Sequence, residues 1–193
     1  MKNARASKSR GFTLIELMVT IGVLTILIVL ALPSFFGAID RRRVVDATEA
    51  VGKQIQQART SAIETNRPIR MVFDAASDPW CFGLTDAATC DCTTADSCTI
   101  PFGVDATTLA PTDYEEVVGR AGQFPGVDLV SAPATLRFEP RRGVRDDGGN
   151  PVETVVVRSA RGLEAHVMVN IIGRVSTCSP AGASNVSVMK TCP

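Results

Sequence analysis

Apolar residues fill the chain from Phe12 to Phe36, a run of mostly Leu, Ile, Val, Ala, Met and Thr in which Glu16 is the one charge. A helix rising about 1.5 Å per residue needs about 20 such residues to cross a hydrocarbon core of about 30 Å, so this run can span a bilayer. Beyond it the apolar pattern narrows to a stripe. Val44, Thr48, Val51, Ile55, Ala58 and Ala62 recur in steps of three and four, while Arg41, Arg42, Asp46, Glu49, Lys53, Gln56, Gln57 and Arg59 take the other faces. That spacing belongs to an amphipathic helix. Asn66-Arg67-Pro68 ends it, because proline disfavours helix in the residue before it. The pattern therefore predicts one helix from about Phe12 to about Thr65, interrupted by Gly22, Pro33, Gly37 and Gly52. A kink is expected at Pro33, where the ring removes a backbone hydrogen bond.

From residue 69 onward the period shortens. Ile69–Phe73, Trp80–Leu84, Val127–Ser131, Thr135–Glu139, Thr154–Arg158 and Ala165–Ile171 read as strands separated by turn residues. Ser159-Ala160-Arg161-Gly162 joins the last two as a hairpin, with Gly162 at the position that needs positive φ. Residues 85–126 and 140–151 read as irregular, the second with the composition of an exposed loop. The fold class is thus α+β, a long N-terminal helix followed by an antiparallel β head.

Charge sharpens the picture of the N-terminus. Lys2, Arg5, Lys8 and Arg10 precede the apolar run with no acid among them, and the chain beyond Gly11 has 16 basic and 20 acidic side chains, a net of −4. A basic flank before the span keeps the N-terminus cytoplasmic and sends the C-terminus across the membrane. A cleaved secretory signal fits less well: its apolar core runs about 7 to 15 residues and ends at a small-x-small site, which Ala31-Leu32-Pro33 does not supply. With 45% hydrophobic and 21% charged residues, the composition excludes a disordered tail and a strongly basic nucleic-acid packager.

The six cysteines, Cys81, Cys90, Cys92, Cys98, Cys178 and Cys192, all lie beyond the span and read as disulfides of an oxidising compartment. Cys178 with Cys192 is the expected pair, since both close a short loop containing Pro180, Gly182 and Asn185. The pairing of the other four stays open. No metal site is expected, because the single histidine, His166, is far in sequence from Cys90-x-Cys92 and Cys98. His166 reads as a strand residue and Trp80 as a core anchor. Glu115 and Glu116 would alternate in direction if extended, so they form no acid pair for hydrolysis. No catalytic residue is nominated, and neither enzyme activity nor a cofactor is expected.

The block Arg10-Gly11-Phe12-Thr13-Leu14-Ile15-Glu16-Leu17-Met18-Val19, with apolar helix and Pro33 after it, resembles the class III signal of type IV prepilins and type II secretion pseudopilins. The resemblance implies that a prepilin peptidase cuts between Gly11 and Phe12 and methylates the new amine of Phe12. It also matches Glu16 to the family's fifth mature residue and Pro33 to its helix-breaking proline. The implied organisation is a cleaved leader over 1–11, a transmembrane and assembly half-helix over 12–36, and a pilin head over 37–193. An unpaired carboxylate in lipid costs several kcal/mol, and in a bundle of such helices the Phe12 amine of one subunit could pair with Glu16 of the next. A plainer role for Glu16 is to sit near its own helix N-terminus, where the dipole favours an acid.

The rest of the chain resembles the FimT/FimU/GspH type of minor pilin. Trp80-Cys81-Phe82-Gly83-Leu84, Cys90-Asp91-Cys92 and Ile171-Ile172-Gly173-Arg174-Val175 carry that likeness. It implies a minor pilin that primes assembly or sits at the tip of a type IV pilus, anchored in the inner membrane with its head in the periplasm. Its partners would be other minor pilins and the major pilin. A GspH-type pseudopilin of a type II secretion system is the alternative. A DNA-uptake pilin is a second one, since some FimT-like members bind DNA through Gly-Arg-x-Arg. Here Gly173 and Arg174 precede Val175 and Ser176, so one arginine of that motif is missing, and an acidic chain gains little from counterion release. Arg141, Arg142 and Arg145 form the other basic cluster, with Asp146 and Asp147 directly after it.

Overall fold

The computed structural model describes residues 12–102 and 112–193, with the side chains of 32–34 outside the described set. The leader with Gly11 lies outside the described residues, as do 103–111 of the segment expected to be irregular. Helix α1 spans Leu14–Thr65, and its helical assignment continues through Pro33 and Gly37. The chain forms two compact units, one ending at Ile39 and one over Asp40–Pro193.

In the first unit the helix is a bare apolar rod. Leu14–Ala31 has a mean hydropathy of 2.7, and none of it is buried by the rest of the chain. Its threonines hide their hydroxyls by donating back to the helix, Thr20 to the Leu17 carbonyl at 2.9 Å and Thr25 to the Ile21 carbonyl at 2.8 Å. Those bonds suit a helix that meets hydrocarbon, where an unsatisfied polar group is costly.

In the second unit the expected stripe is the buried one. Val44, Thr48, Val51, Ile55, Ala58 and Ala62 are all buried, and the apolar members belong to one core cluster with the strands. The first sheet has the order β5-β2-β1-β7, from β1 (Ile69–Asp74), β2 (Cys81–Thr85), β5 (Val118–Arg120) and β7 (Thr135–Phe138). The second has the order β10-β9-β8-β6, from β6 (Val127–Ser131), β8 (Val152–Ser159), β9 (Glu164–Asn170) and β10 (Val175–Cys178). A short hairpin pairs β3 (Thr99–Pro101) with β4 (Tyr114–Glu116). Among the described residues every strand pair is antiparallel. Gly162 turns the β8–β9 hairpin at φ +84, as the sequence pattern requires.

Two sequence expectations need correction. Residues 85–126 are not wholly irregular, for they hold β3, β4, β5 and a short 3-10 turn over Ala121–Gln123. The 140–151 segment is not simply an exposed loop, because Gly143 and Arg145 are buried in it. Arg145 donates to the Val169 carbonyl at 2.8 Å and grips Asp147 with two bonds of 2.9 Å, which folds the segment onto β9. Composition shows only a polar stretch; the arginine's own carboxylate partner two residues on lets that stretch bury its charge.

The core of the first sheet centres on aromatic rings. Trp80 stacks between Phe82 and Phe124, at centroid distances of 6.0 and 5.9 Å, and its indole N–H donates to the Val127 carbonyl at 3.0 Å. Phe82 lies over Gly119 of the neighbouring strand, where a Cβ would come within 2.2 Å of the ring. Glycine there makes room for a buried ring that has aromatic neighbours on both sides.

Gly52 is different. A Cβ built on it meets Val175 at an ordinary 3.6 Å. Since glycine in a helix interior is less stable than alanine by about 0.5–1 kcal/mol, Gly52→Ala is expected to raise the melting temperature of the detergent-solubilised chain by about 1–4 °C. Thermal unfolding followed by circular dichroism checks this.

Candidate assembly site

The first turn of α1 is built by Thr13 and Glu16. Thr13 precedes the helix, its hydroxyl oxygen accepts the Glu16 backbone N–H at 3.3 Å, and its carbonyl accepts Leu17 N–H at 3.2 Å. This is the arrangement of an N-cap with an acid three residues later. Glu16 is exposed, and among the described residues no cation pairs with its carboxylate. Phe12 is 83% exposed directly before the cap. The helix start therefore presents an exposed Phe12, a cap that is satisfied locally, and a carboxylate that is not neutralised by any described residue.

All six cysteines are bonded. Cys178 joins Cys192, Cys81 joins Cys92, and Cys90 joins Cys98. The last two loops overlap, so the segment after β2 is cross-tied over Cys81–Cys98. Cys98 packs against β2 so closely that a Cβ on Gly83 would lie 2.6 Å from its side chain. Between the bridges, Asp91 accepts from the Thr93 backbone and hydroxyl at 2.9 and 2.6 Å and from the Thr94 hydroxyl at 3.0 Å. Those hydrogen bonds, the Thr93 hydroxyl foremost, hold its carboxyl below the usual carboxylate range.

His166 is half-buried, 3.7 Å from the Cys192 sulfur through Nδ1 and 3.9 Å from Glu164 through Nε2. His166, Cys178 and Cys192 would resemble a ligand set, but both sulfurs are spent in the disulfide, leaving no thiolate for a metal. Glu116 pairs with Arg120 at 3.0 Å while Glu115 is exposed, consistent with the alternation expected of them.

The candidate DNA-contacting arginines are not brought together as a basic face. Arg142 holds Glu139 at 3.1 Å, Arg145 is buried on Asp147, and the neighbouring Asp146 holds Arg137 at 2.6 Å. Arg174 stands exposed at the β9–β10 turn, its backbone N–H bonded to the Asn170 side chain at 2.8 Å.

Asp40, which no sequence motif singles out, is buried at the head end of the helix and accepts a hydrogen bond of 2.9 Å from Ser159. The same serine oxygen accepts the backbone N–H groups of Arg161 and Leu163, so Asp40 fixes the β8–β9 hairpin against the helix. Its helical phase is the signal that could have found it: Asp40 lies one step of four before Val44 on the buried stripe.

A bare apolar rod that begins with a capped acid, joined in sequence to a disulfide-tied β head, defines a membrane-anchored subunit of the pilin and pseudopilin class. Residues 47–173 match the family Type II transport protein GspH, and residues 6–32 match the Prokaryotic N-terminal methylation motif. The chain belongs to the GspH family. A curated relative, Type II secretion system protein H of Xanthomonas campestris pv. campestris, is 34% identical over 71 residues, covering 37% of this chain and 42% of the relative's length. Two crystal structures of the type IV minor pilin FimU of Pseudomonas aeruginosa PAO1 are similar at 16% identity. The first has a TM-score of 0.45 and covers 70% of this chain and 88% of that one; the second has 0.42 and covers 71% and 97%.

Proposed function

We propose that this chain is a minor pilin, a structural rather than enzymatic subunit that is cut between Gly11 and Phe12, methylated on Phe12, and inserted into a helical fibre by its N-terminal rod. The single observation that supports this best is the rod itself: an apolar helix that no other described residue covers, opening on a carboxylate with no cation partner among the described residues. Apolar surface of that extent is stable only in lipid or against like helices. The Phe12 amine of one subunit and Glu16 of the next would form a charge pair that fixes axial register, and Pro33 would mark where the assembly half-helix ends. The head, cross-tied by its bridges, stands in the periplasm and contacts other minor pilins and the major pilin at the fibre start or tip.

A GspH-type pseudopilin of a type II secretion system is the second reading, favoured by the name of the relative from Xanthomonas and by the family matched over 47–173. Deleting the gene separates the two. As a minor pilin its loss removes surface fibres and leaves exported enzymes unchanged; as a pseudopilin its loss traps those enzymes in the periplasm. Recovery of wild-type fibres and wild-type secretion together would overturn both.

A further inference from the structure

His166 is wedged between the Cys178–Cys192 bridge and a carboxylate. Its Nδ1 faces the Cys192 sulfur at 3.7 Å, and its Nε2 faces Glu164 at 3.9 Å. Nδ1 and the two sulfurs lie within 4.8 Å of one another. Closed as a disulfide, the pair offers a metal no thiolate. Translation makes both cysteines as thiols, however, so a chain on its way to the bridge holds all three donors.

More than the S–S bond brings these donors together. Cys178 stands opposite His166 in the β10–β9 register, so both side chains leave the same face of the sheet. Buried Ser179 carries Cys192 to them: its N–H donates to the Lys190 carbonyl at 2.8 Å, and its carbonyl accepts the Cys192 N–H at 3.0 Å. The Ser179 hydroxyl donates to the Glu164 carbonyl at 2.6 Å and ties this clasp to β9. None of these bonds uses a sulfur, so the clasp remains when the bridge is open. The spacing also suits a metal. Zn–S bonds of about 2.3 Å and Zn–N bonds of about 2.0–2.1 Å at a tetrahedral ion put nitrogen and sulfur about 3.6 Å apart, close to the 3.7 Å from Nδ1 to the Cys192 sulfur. The two sulfurs must part to about 3.8 Å, a step open to half-buried Cys192 by rotation about its Cα–Cβ bond. A histidine that ligates a metal through one nitrogen turns its other N–H toward a carboxylate, which fixes the tautomer. Glu164 occupies that side of the ring, its other oxygen held by Arg158.

We propose that, in the dithiol form, Cys178, Cys192 and His166 bind one Zn2+ ion, with water in the fourth position and Glu164 as a positioning residue behind the imidazole. Binding releases the two thiol protons. The ion keeps these sulfurs from pairing with Cys81, Cys90, Cys92 or Cys98, and it holds the chain around Cys192 against β9 and β10 as the bridge later does. Oxidation ends the metal-bound state. The two thiolates give two electrons to a disulfide oxidant, which takes two protons from solvent and leaves as a dithiol; the Cys178–Cys192 bond forms and the zinc departs.

The test uses the full chain in detergent, opened by graded additions of a phosphine reductant without denaturant. Cys192 is half-buried whereas Cys81, Cys92 and Cys98 are 2% exposed or less, so Cys178–Cys192 is expected to open first. Zinc is then titrated in, and peptide mass analysis reads the alkylation rate of each cysteine. Zinc should slow alkylation of Cys178 and Cys192 about tenfold or more, since a metal-bound thiolate is a blocked nucleophile. In His166→Ala the zinc concentration that gives half-protection should rise about tenfold or more, while the bridge still closes on oxidation. X-ray absorption of the zinc-loaded native chain should show two sulfurs at about 2.3 Å beside nitrogen and oxygen at about 2.0–2.1 Å, and it decides alone should the His166→Ala head fail to fold. The site is overturned by a sulfur-only shell, by unprotected Cys178 and Cys192, by the same half-protection in His166→Ala, or by a bridge that opens only when the head unfolds.

Discussion

Glu16→Ala should leave the chain inserted and processed yet remove it from sheared fibre fractions, with a loss of about tenfold or more by immunoblot. Removing the carboxylate costs the helix start about 0.3–1 kcal/mol through the dipole, and an uncharged residue enters lipid more readily than a charged one, so insertion is not the step at risk. On the proposed pairing, what disappears is the partner for a neighbour's Phe12 amine, and a desolvated charge left unpaired costs several kcal/mol. Glu16→Gln separates the two roles that the geometry allows. Glutamine serves as well as glutamate three residues after the Thr13 cap, but it carries no charge. If Glu16→Gln is incorporated like the native chain, helix capping was the residue's whole contribution and the inter-subunit pair is wrong.

The second large effect is on stability. Arg145→Met should destabilise the head by about 3–5 kcal/mol, because it strands Asp147 and the Val169 carbonyl without the donor that satisfies them. For a chain of this size that lowers the melting temperature by about 6–20 °C. Arg145→Lys should recover little, since one ammonium cannot replace a fork that reaches Asp147 twice and Val169 as well. Adding Asp147→Leu to Arg145→Met should restore part of the loss by removing the stranded carboxylate. Urea unfolding of the detergent-solubilised variants checks the series, and a loss below about 1 kcal/mol for Arg145→Met would show that the buried arginine is not holding 140–151 in place.

Local periodicity is what makes part of this fold legible in the sequence. The stripe from Val44 to Ala62 is buried residue for residue. The runs at Ile69, Val127 and Ala165 fall on β1, β6 and β9, because alternation over five or more residues leaves a readable signature. Shorter strands carry no period. β3, β4 and β5 have three residues each and β10 four; β5 and β10 are held by longer neighbours, Gly119 pairing with Phe82 of β2 and Thr177 with Val167 of β9, while β3 and β4 pair with each other. The final Ile171 of one expected strand is instead an exposed turn residue, since β9 ends at Asn170.

At the candidate site the division is similar. The apolar pattern predicts a helix start at about Phe12, and the helix begins two residues on at Leu14, where the Thr13 hydroxyl caps it. The cross-ties Cys81–Cys92 and Cys90–Cys98 cannot be chosen from spacing, because the four cysteines lie close together in sequence and more than one pairing closes short loops. Arg145 stands in the sequence as one member of a solvated basic cluster, and its burial depends on Val169 and Asp147 meeting in three dimensions. Asp40 lies in sequence among the polar residues of the membrane exit, although its helical phase puts it on the buried face, where Ser159 meets it.

A rod laid bare for assembly once its leader is removed is the central claim, and intact mass analysis of the N-terminal peptide from membrane-extracted protein tests it most directly. The expected peptide begins at Phe12 and is one methyl group heavier than its unmodified sequence. A functional fibre subunit that still carries Met1 to Gly11, or that lacks the 12–36 helix altogether, would contradict it.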